Sequence, residues 1–132
     1  MTLIDKLAWI EVRDGKVLST RSRGRTKYYL PGGKRETGET DAQALLREIQ
    51  EELSVGLLPD SLVYLGTFQA QADSHAAGIQ VQMTCYAGHY AGILQAAQEI
   101  EEIVWLTYKD RDKVSAVDQI IFDWLLAQGL LS

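Results

Sequence analysis

An α+β (α/β) domain with a mixed β-sheet and two main helices is what the sequence predicts, and three observations carry the prediction. Apolar residues make up 46% and charged residues 23% of the 132 residues, the proportions of an ordinary globular domain. A chain of this length buries enough surface to hold one core without disulfides or structural metal. Stretches with apolar residues at every second position alternate with two segments at the three- and four-residue spacing of a helix. No repeat, low-complexity tract or linker interrupts them, so residues 1–132 are expected to form a single domain.

Taken in order, Leu7 to Val12 and Lys16 to Thr20 read as two strands about Asp14-Gly15, a pair that tolerates the positive φ of a hairpin turn. From Arg21 to Arg35 the chain holds Arg21, Arg23, Arg25, Lys27, Lys34 and Arg35 without an acidic residue. Leu30-Pro31-Gly32-Gly33 reads as a loop. Thr40 with Gln43 three residues later has the pattern of a capping box, opening a helix that runs to about Leu53. Ser61 to Ala72 and Gly78 to Tyr90 read as extended. In the second, Ile79, Val81, Met83, Cys85 and Ala87 alternate with Gln80, Gln82, Thr84, Tyr86 and Gly88, as expected when one sheet face is buried. A loop from Tyr90 leads to a buried strand from Glu102 to Thr107. The last element is a helix through Val114, Val117, Ile120, Ile121, Trp124 and Leu125, with Gly129 placed to end it in a left-handed conformation.

Charge and cysteine narrow the possible partners. Thirteen basic against 18 acidic residues give a net charge of −5, which argues against stable nucleic-acid binding and against anionic membranes. Cys85 is the single cysteine, so neither an internal disulfide nor a cysteine-based zinc site is available. No apolar run approaches the ~18 residues of a membrane span. These features predict a cytoplasmic protein.

The first helix carries charges that do not suit a lone helix. Ala42, Leu45, Leu46, Ile49 and Leu53 fall on one stripe that can pack on a sheet, while Glu48, Glu51 and Glu52 crowd another side at three- and four-residue spacings. They occupy the C-terminal half, where the helix dipole favours cations by ~0.3–1 kcal/mol. A divalent cation removes the objection: Mg²⁺, and similarly Mn²⁺, takes one or two carboxylates together with water and substrate phosphate. The alternative is a solvated acidic face.

The upstream sequence separates the two. Gly33, Glu39, Arg47, Glu48, Ile49, Glu51, Glu52 and Val55 fit G-x5-E-x7-R-E-U-x-E-E-x-G-U, where U is apolar, a match whose chance at one register is on the order of 10⁻⁸ or less. The segment from Gly33 to Val55 resembles a Nudix box, and the chain is similar to MutT-like Nudix hydrolases. The pattern is broken once, where Ser54 stands in the place of a glycine. A glycine there would serve the helix C-cap, and Gly56 is placed to take over that duty with a shifted helix end.

The resemblance implies an α/β/α sandwich and an enzyme that hydrolyses a pyrophosphate linkage in a nucleoside diphosphate joined to another moiety, by water attack on phosphorus. It implies Mg²⁺ or Mn²⁺, a nucleotide-like diphosphate substrate, and allows a homodimer. A nucleotide-binding module without catalysis is the alternative. Glu51, Glu52 and the backbone carbonyl of Gly32 match metal ligands, and Glu48, a further candidate ligand, matches the glutamate that acts on the attacking water in several members, the base differing from one member to another. Arg47 and Glu39 match residues that orient the carboxylates. Glu99 is the best match by spacing for an acidic residue on a loop that completes the metal shell, ahead of Glu102.

Gly33 and Gly32 would let backbone approach metal and phosphate. Arg23, Arg25 and Lys34 are candidate phosphate ligands, and Arg21, Arg23, Arg25 and Lys27 would project to one side of an extended chain. The bland reading of that stretch is a solvated strand and loop. Tyr28, Tyr29 and Phe68 are candidates to stack on a base, though strand aromatics more often fill a core. His75 is placed to touch a leaving group, and His89 reads as structural.

Overall fold

The computed structural model describes residues 2–72 and 78–132. Strand β1 (Thr2–Trp9) buries Leu7, Ala8 and Trp9 completely. The sequence suggests a strand running on to Val12. Instead the chain changes sheet after Trp9, and the hairpin is made by β2 (Val12–Arg13) and β3 (Lys16–Ser22), with Val12 opposite Val17. The break arises because β1 finds partners on both edges: β4 (Gly32–Lys34) antiparallel on one side and β7 (Ile79–Ala87) parallel on the other. Asp14 (φ 52°) and Gly15 (φ 76°) supply the two left-handed residues the hairpin turn needs.

Strand β4 occupies what reads as loop. Gly32 permits it: a Cβ there would stand 2.0 Å from the Leu7 carbonyl oxygen, so only a residue without a side chain lets the two backbones pair. With β6 (Val63–Gln71) the main sheet has the order β4-β1-β7-β6 and is mixed. A second, antiparallel sheet joins β2, β3 and β9 (Ile100–Leu106). Residues expected in loops also form a short ladder between β5 (Gly56–Leu57) and β8 (Tyr90–Ala91).

Helix α1 (Asp41–Leu53) opens on the anticipated capping box: the Gln43 N–H donates to Thr40 Oγ1 at 3.2 Å and the Thr40 N–H to Gln43 Oε1 at 2.9 Å. Its end departs from expectation. Ser54 itself adopts the left-handed conformation (φ 63°) and donates its hydroxyl to the Gln95 carbonyl at 3.1 Å, so the helix end does not shift and Gly56 serves in β5. Ala44, Leu45, Ile49 and Leu53 are buried against Leu7, Trp9 and Leu18. Ala42 lies only partly covered, and Ala44 fills the place proposed for it.

Helix α2 (Ala116–Ala127) covers the opposite face of the main sheet, packing Val117, Ile121, Phe122 and Leu125 on Val81, Met83 and Cys85 of β7. Val114 precedes the helix, after a 3₁₀ segment at Tyr108–Lys113. Gly129 (φ 76°) ends it as expected: the Leu130 N–H reaches the Leu125 carbonyl at 3.0 Å and the Gly129 N–H the Leu126 carbonyl at 3.0 Å. One helix on each face of the sheet makes the α/β/α sandwich that the resemblance implies. Strand β7 is central and therefore covered on both faces, since Tyr86 packs with the α1 core while Met83 and Cys85 belong to the α2 core. Among the described residues, no helix is long and apolar enough to cross a membrane.

Candidate active site

A cavity of about 290 Å³ opens between β4, α1 and the start of α2, and charges of both signs line it: Glu48, Glu52 and Glu99, with Lys6, Arg25 and Lys34. The capping box fixes where α1 starts, and its apolar stripe fixes how it is rotated on the sheet. Glu48 and Glu52 then fall on the edge of the buried stripe, one turn apart.

Glu52 is 8% exposed and accepts the Gly32 N–H at 3.1 Å. Burial pushes its carboxyl up to about 8 against the pull of that N–H, and the neighbouring Glu48 and Glu99 push the same way. Glu48 is also raised, first by burial, with Arg47 opposing and Glu51 and Glu99 adding to the rise. Gly33 makes room for it: a Cβ on Gly33 would stand 2.0 Å from Glu48 Oε2. The two glycines thus do different work. Gly32 admits backbone, and Gly33 admits the end of a glutamate side chain.

Arg47 gathers the remaining carboxylates outside the cavity. Its Nε donates to Glu39 Oε2 at 2.7 Å and one terminal nitrogen to Glu39 Oε1 at 2.9 Å, while the other reaches Glu51 Oε1 at 3.0 Å and stands 3.6 Å from Glu48 Oε1. The forked bond to Arg47, then the Glu36 N–H, holds the Glu39 carboxyl down to about 2. Glu51 is therefore turned toward Arg47 and is absent from the cavity lining, whereas Glu48 and Glu52 are part of it. Gly32, Gly33 and Lys34 line it as well.

The basic stretch is not a one-sided row of cations. Strand β3 ends at Ser22 and Gly24 (φ 79°) turns the chain, which breaks the alternation. Arg25 lines the cavity. Arg23 does not: it donates to the Gln98 carbonyl at 2.7 Å. Arg21 bonds Glu101 and Glu102. Tyr29 lines the cavity with Lys6 Nζ 5.8 Å from its ring centre, while the Tyr28 hydroxyl donates to Glu102 at 2.6 Å and Phe68 packs edge-on against Trp124. His75 lies outside the described residues. His89 stands away from the cavity, its N–H donating to Ser61 Oγ at 2.8 Å. Lys6 and Ser115 are cavity residues that sequence reasoning missed. Lys6 sits in an alternating strand where a lysine reads as solvent-facing, and Ser115 reads as an ordinary helix cap.

Among the described residues, no group of three or more carboxylate, imidazole or thiol side chains stands close enough together to hold a metal ion by itself. Mg²⁺ needs no such group, because it keeps several waters and takes one or two carboxylates. The donor set fits: a buried Glu52 flanked by like charges carries an electrostatic cost that a divalent cation would relieve.

Comparison with known proteins agrees with this architecture. The family model described as "NUDIX domain" matches residues 5–125. The chain is 28% identical over 121 residues, 89% of this chain and 77% of the relative, to the uncharacterised Nudix hydrolase YvcI of Bacillus subtilis strain 168. It superposes on the solution structure of the E. coli ORF135 protein with a TM-score of 0.75 at 26% identity, covering 96% of this chain and 91% of that one. The MutT Nudix hydrolase from Burkholderia pseudomallei shares the fold with a TM-score of 0.74 at 21% identity over 93% and 98% of the two chains. The family match spans both helices and the cavity between them, and the chain belongs to the Nudix hydrolases, a class of pyrophosphohydrolases that generally act on nucleoside diphosphate derivatives and need divalent metal ions.

Proposed function

We propose that residues 1–132 form one Nudix domain that hydrolyses a phosphoanhydride bond in a nucleotide-like diphosphate with the help of Mg²⁺ or Mn²⁺. The observation that carries the reading is the meeting of Glu48, Glu52 and Glu99 with Arg25 and Lys34 around a single cavity. Acids and cations lining one space suit a polyanion whose charge is met partly by metal and partly by guanidinium and ammonium groups. Glu52, Glu99 and the Gly32 carbonyl, with Glu51 from the rim, would hold the cation, and Arg25 and Lys34 the phosphates. When bound, the cation supplies charge neutralisation at the phosphate oxygens and a lowered pKa for water.

Glu48 is the residue to take the proton from the attacking water. Its raised pKa brings a carboxylate closer to the pH at which a general base works best, and Gly33 leaves its oxygens free to approach the substrate. Arg47 and Glu39 hold Glu51 and Glu48 in place. The test is a panel of nucleoside triphosphates, nucleotide sugars, ADP-ribose and dinucleoside polyphosphates with Mg²⁺, scored for products. Release of a nucleoside monophosphate from at least one compound is the expected result. Binding without any cleavage across the panel would instead assign the chain to nucleotide sensing.

A further inference from the structure

Arg21 and Arg23 do not face phosphate: Arg23 bonds the loop that carries Glu99, and Arg21 bonds the start of β9 just after it. In the β3–β9 ladder Arg21 lies opposite Glu102, and the next partner of the strand, Ser22, lies opposite Ile100. Glu101 is thus an extra residue in β9, a bulge. In a regular strand Glu101 and Glu102 would point to opposite faces. The bulge brings both to one guanidinium: Arg21 Nε donates to Glu102 Oε1 at 2.8 Å and another nitrogen to Glu101 Oε1 at 2.7 Å.

The third nitrogen of Arg21 reaches the Arg25 carbonyl at 3.1 Å, on the far side of the Gly24 turn. Arg23 finishes the tie from its own side, its N–H donating to the Glu99 carbonyl at 2.8 Å and its guanidinium to the Gln98 carbonyl at 2.7 Å. Gln98 is held with φ 55°, a left-handed conformation that a non-glycine residue keeps only when its surroundings impose it. The two segments joined this way are those that place Arg25 and Glu99 in the cavity wall.

We propose that Arg21 is a positioning residue: through the bulge at Glu101 it fixes both Glu99 and Arg25 in the cavity lining, so that a metal-side and a phosphate-side group are set by a single guanidinium. The assignment rests on the reading of Glu99 given above. Bulges beside functional sites commonly re-aim a side chain. Here the forked geometry of arginine is required, since one lysine ammonium cannot span two carboxylates and a carbonyl in different directions.

The experiment is calorimetric titration of the whole protein with Mn²⁺, for the parent, Arg21→Ala, Arg21→Lys and Glu99→Gln, together with amide exchange at Arg23 by NMR. Arg21→Ala is expected to weaken Mn²⁺ binding about 10-fold, the scale seen when partners behind metal ligands are removed, and to speed exchange of the Arg23 amide. Arg21→Lys should recover little of either. Glu101→Gln, which keeps the cation and removes one carboxylate, should repeat the defect in milder form and guards against misfolding of the alanine variant. If Glu99→Gln weakens Mn²⁺ binding while Arg21→Ala and Glu101→Gln leave it unchanged, the positioning role is overturned and the role of Glu99 stands. If Glu99→Gln itself changes nothing, both fall.

Discussion

The cavity side of α1 and the turn that leads into the helix carry the same residue type in opposite electrostatic states. On the cavity side Glu48 and Glu52 are held by burial above the ordinary carboxylate range, Glu52 to about 8. In the turn Glu39 is held by Arg47 down to about 2. Nothing in glutamate itself distinguishes them. Glu52 loses water without gaining a cation, and Glu39 gains a guanidinium while still partly exposed. Glu39 is a finished contact, its charge already met by the Arg47 fork. The cavity side is energetically incomplete, and that incompleteness is its capacity to bind.

Replacing Glu52 by Gln should break this contrast most severely. The amide can still accept the Gly32 N–H, so the fold is kept, but turnover should fall on the order of 10³-fold because the charge facing metal and phosphate is gone. Stability should move the other way. A carboxyl raised in the folded state stabilises the fold below its unfolded pKa, and that contribution is lost as the pH rises toward about 8. Glu39, depressed in the folded state, contributes above its unfolded pKa and loses that contribution as the pH falls toward about 2. Melting curves in a chelator are therefore expected to show Glu52→Gln above the parent near pH 8, while Glu39→Gln lies below it at that pH and converges with it in acid. A parent and Glu52→Gln that melt together at every pH would remove the claim that the inner carboxylate is strained.

The adjacent glycines sharpen the same division. Gly33→Ala meets only the tip of Glu48, so the melting temperature should hold while kcat drops about 10²-fold, the scale of a catalytic group displaced by an ångström. Gly32→Ala meets the Leu7 carbonyl at 2.0 Å, in a conformation with φ 143°, and should lower the melting temperature itself. Equal thermal losses in the two variants would show that both glycines serve the fold.

The smallest effect is expected at Ser54. Glycine would relieve a left-handed serine at ~1 kcal/mol and forfeit the hydroxyl bond to Gln95, an exposed bond worth ~0.5 kcal/mol. Ser54→Gly should thus raise stability by under ~1 kcal/mol, read as a small shift in denaturant midpoint with unchanged activity.

The helices were legible because their signals are local. Thr40 with Gln43 and Gly129 each act within one turn of the chain, and each behaves as its residue type dictates. The acidic helix face and the box glycines were legible for a related reason, since spacing along one helix and one turn encodes them. What failed depended on distant partners. Leu7 to Val12 looks like one strand until β4 and β7 capture its first part, and the alternation of Arg21, Arg23 and Arg25 looks one-sided until Glu101 and Glu102 draw the first of them aside. Lys6 and Ser115 reach the cavity only through the packing of sheet on helix, which no window of sequence displays.

The parallel pairing of β1 with β7 also sets an order of events. Thr2 meets Ile79 and Trp9 meets Tyr86, so this edge of β1 stays open until a strand far along the chain has been made. During that interval β4 covers only one edge of β1, opposite residues 6–8, and the open edge beside Leu7 and Trp9 is where misassociation begins and where a chaperone has most to protect.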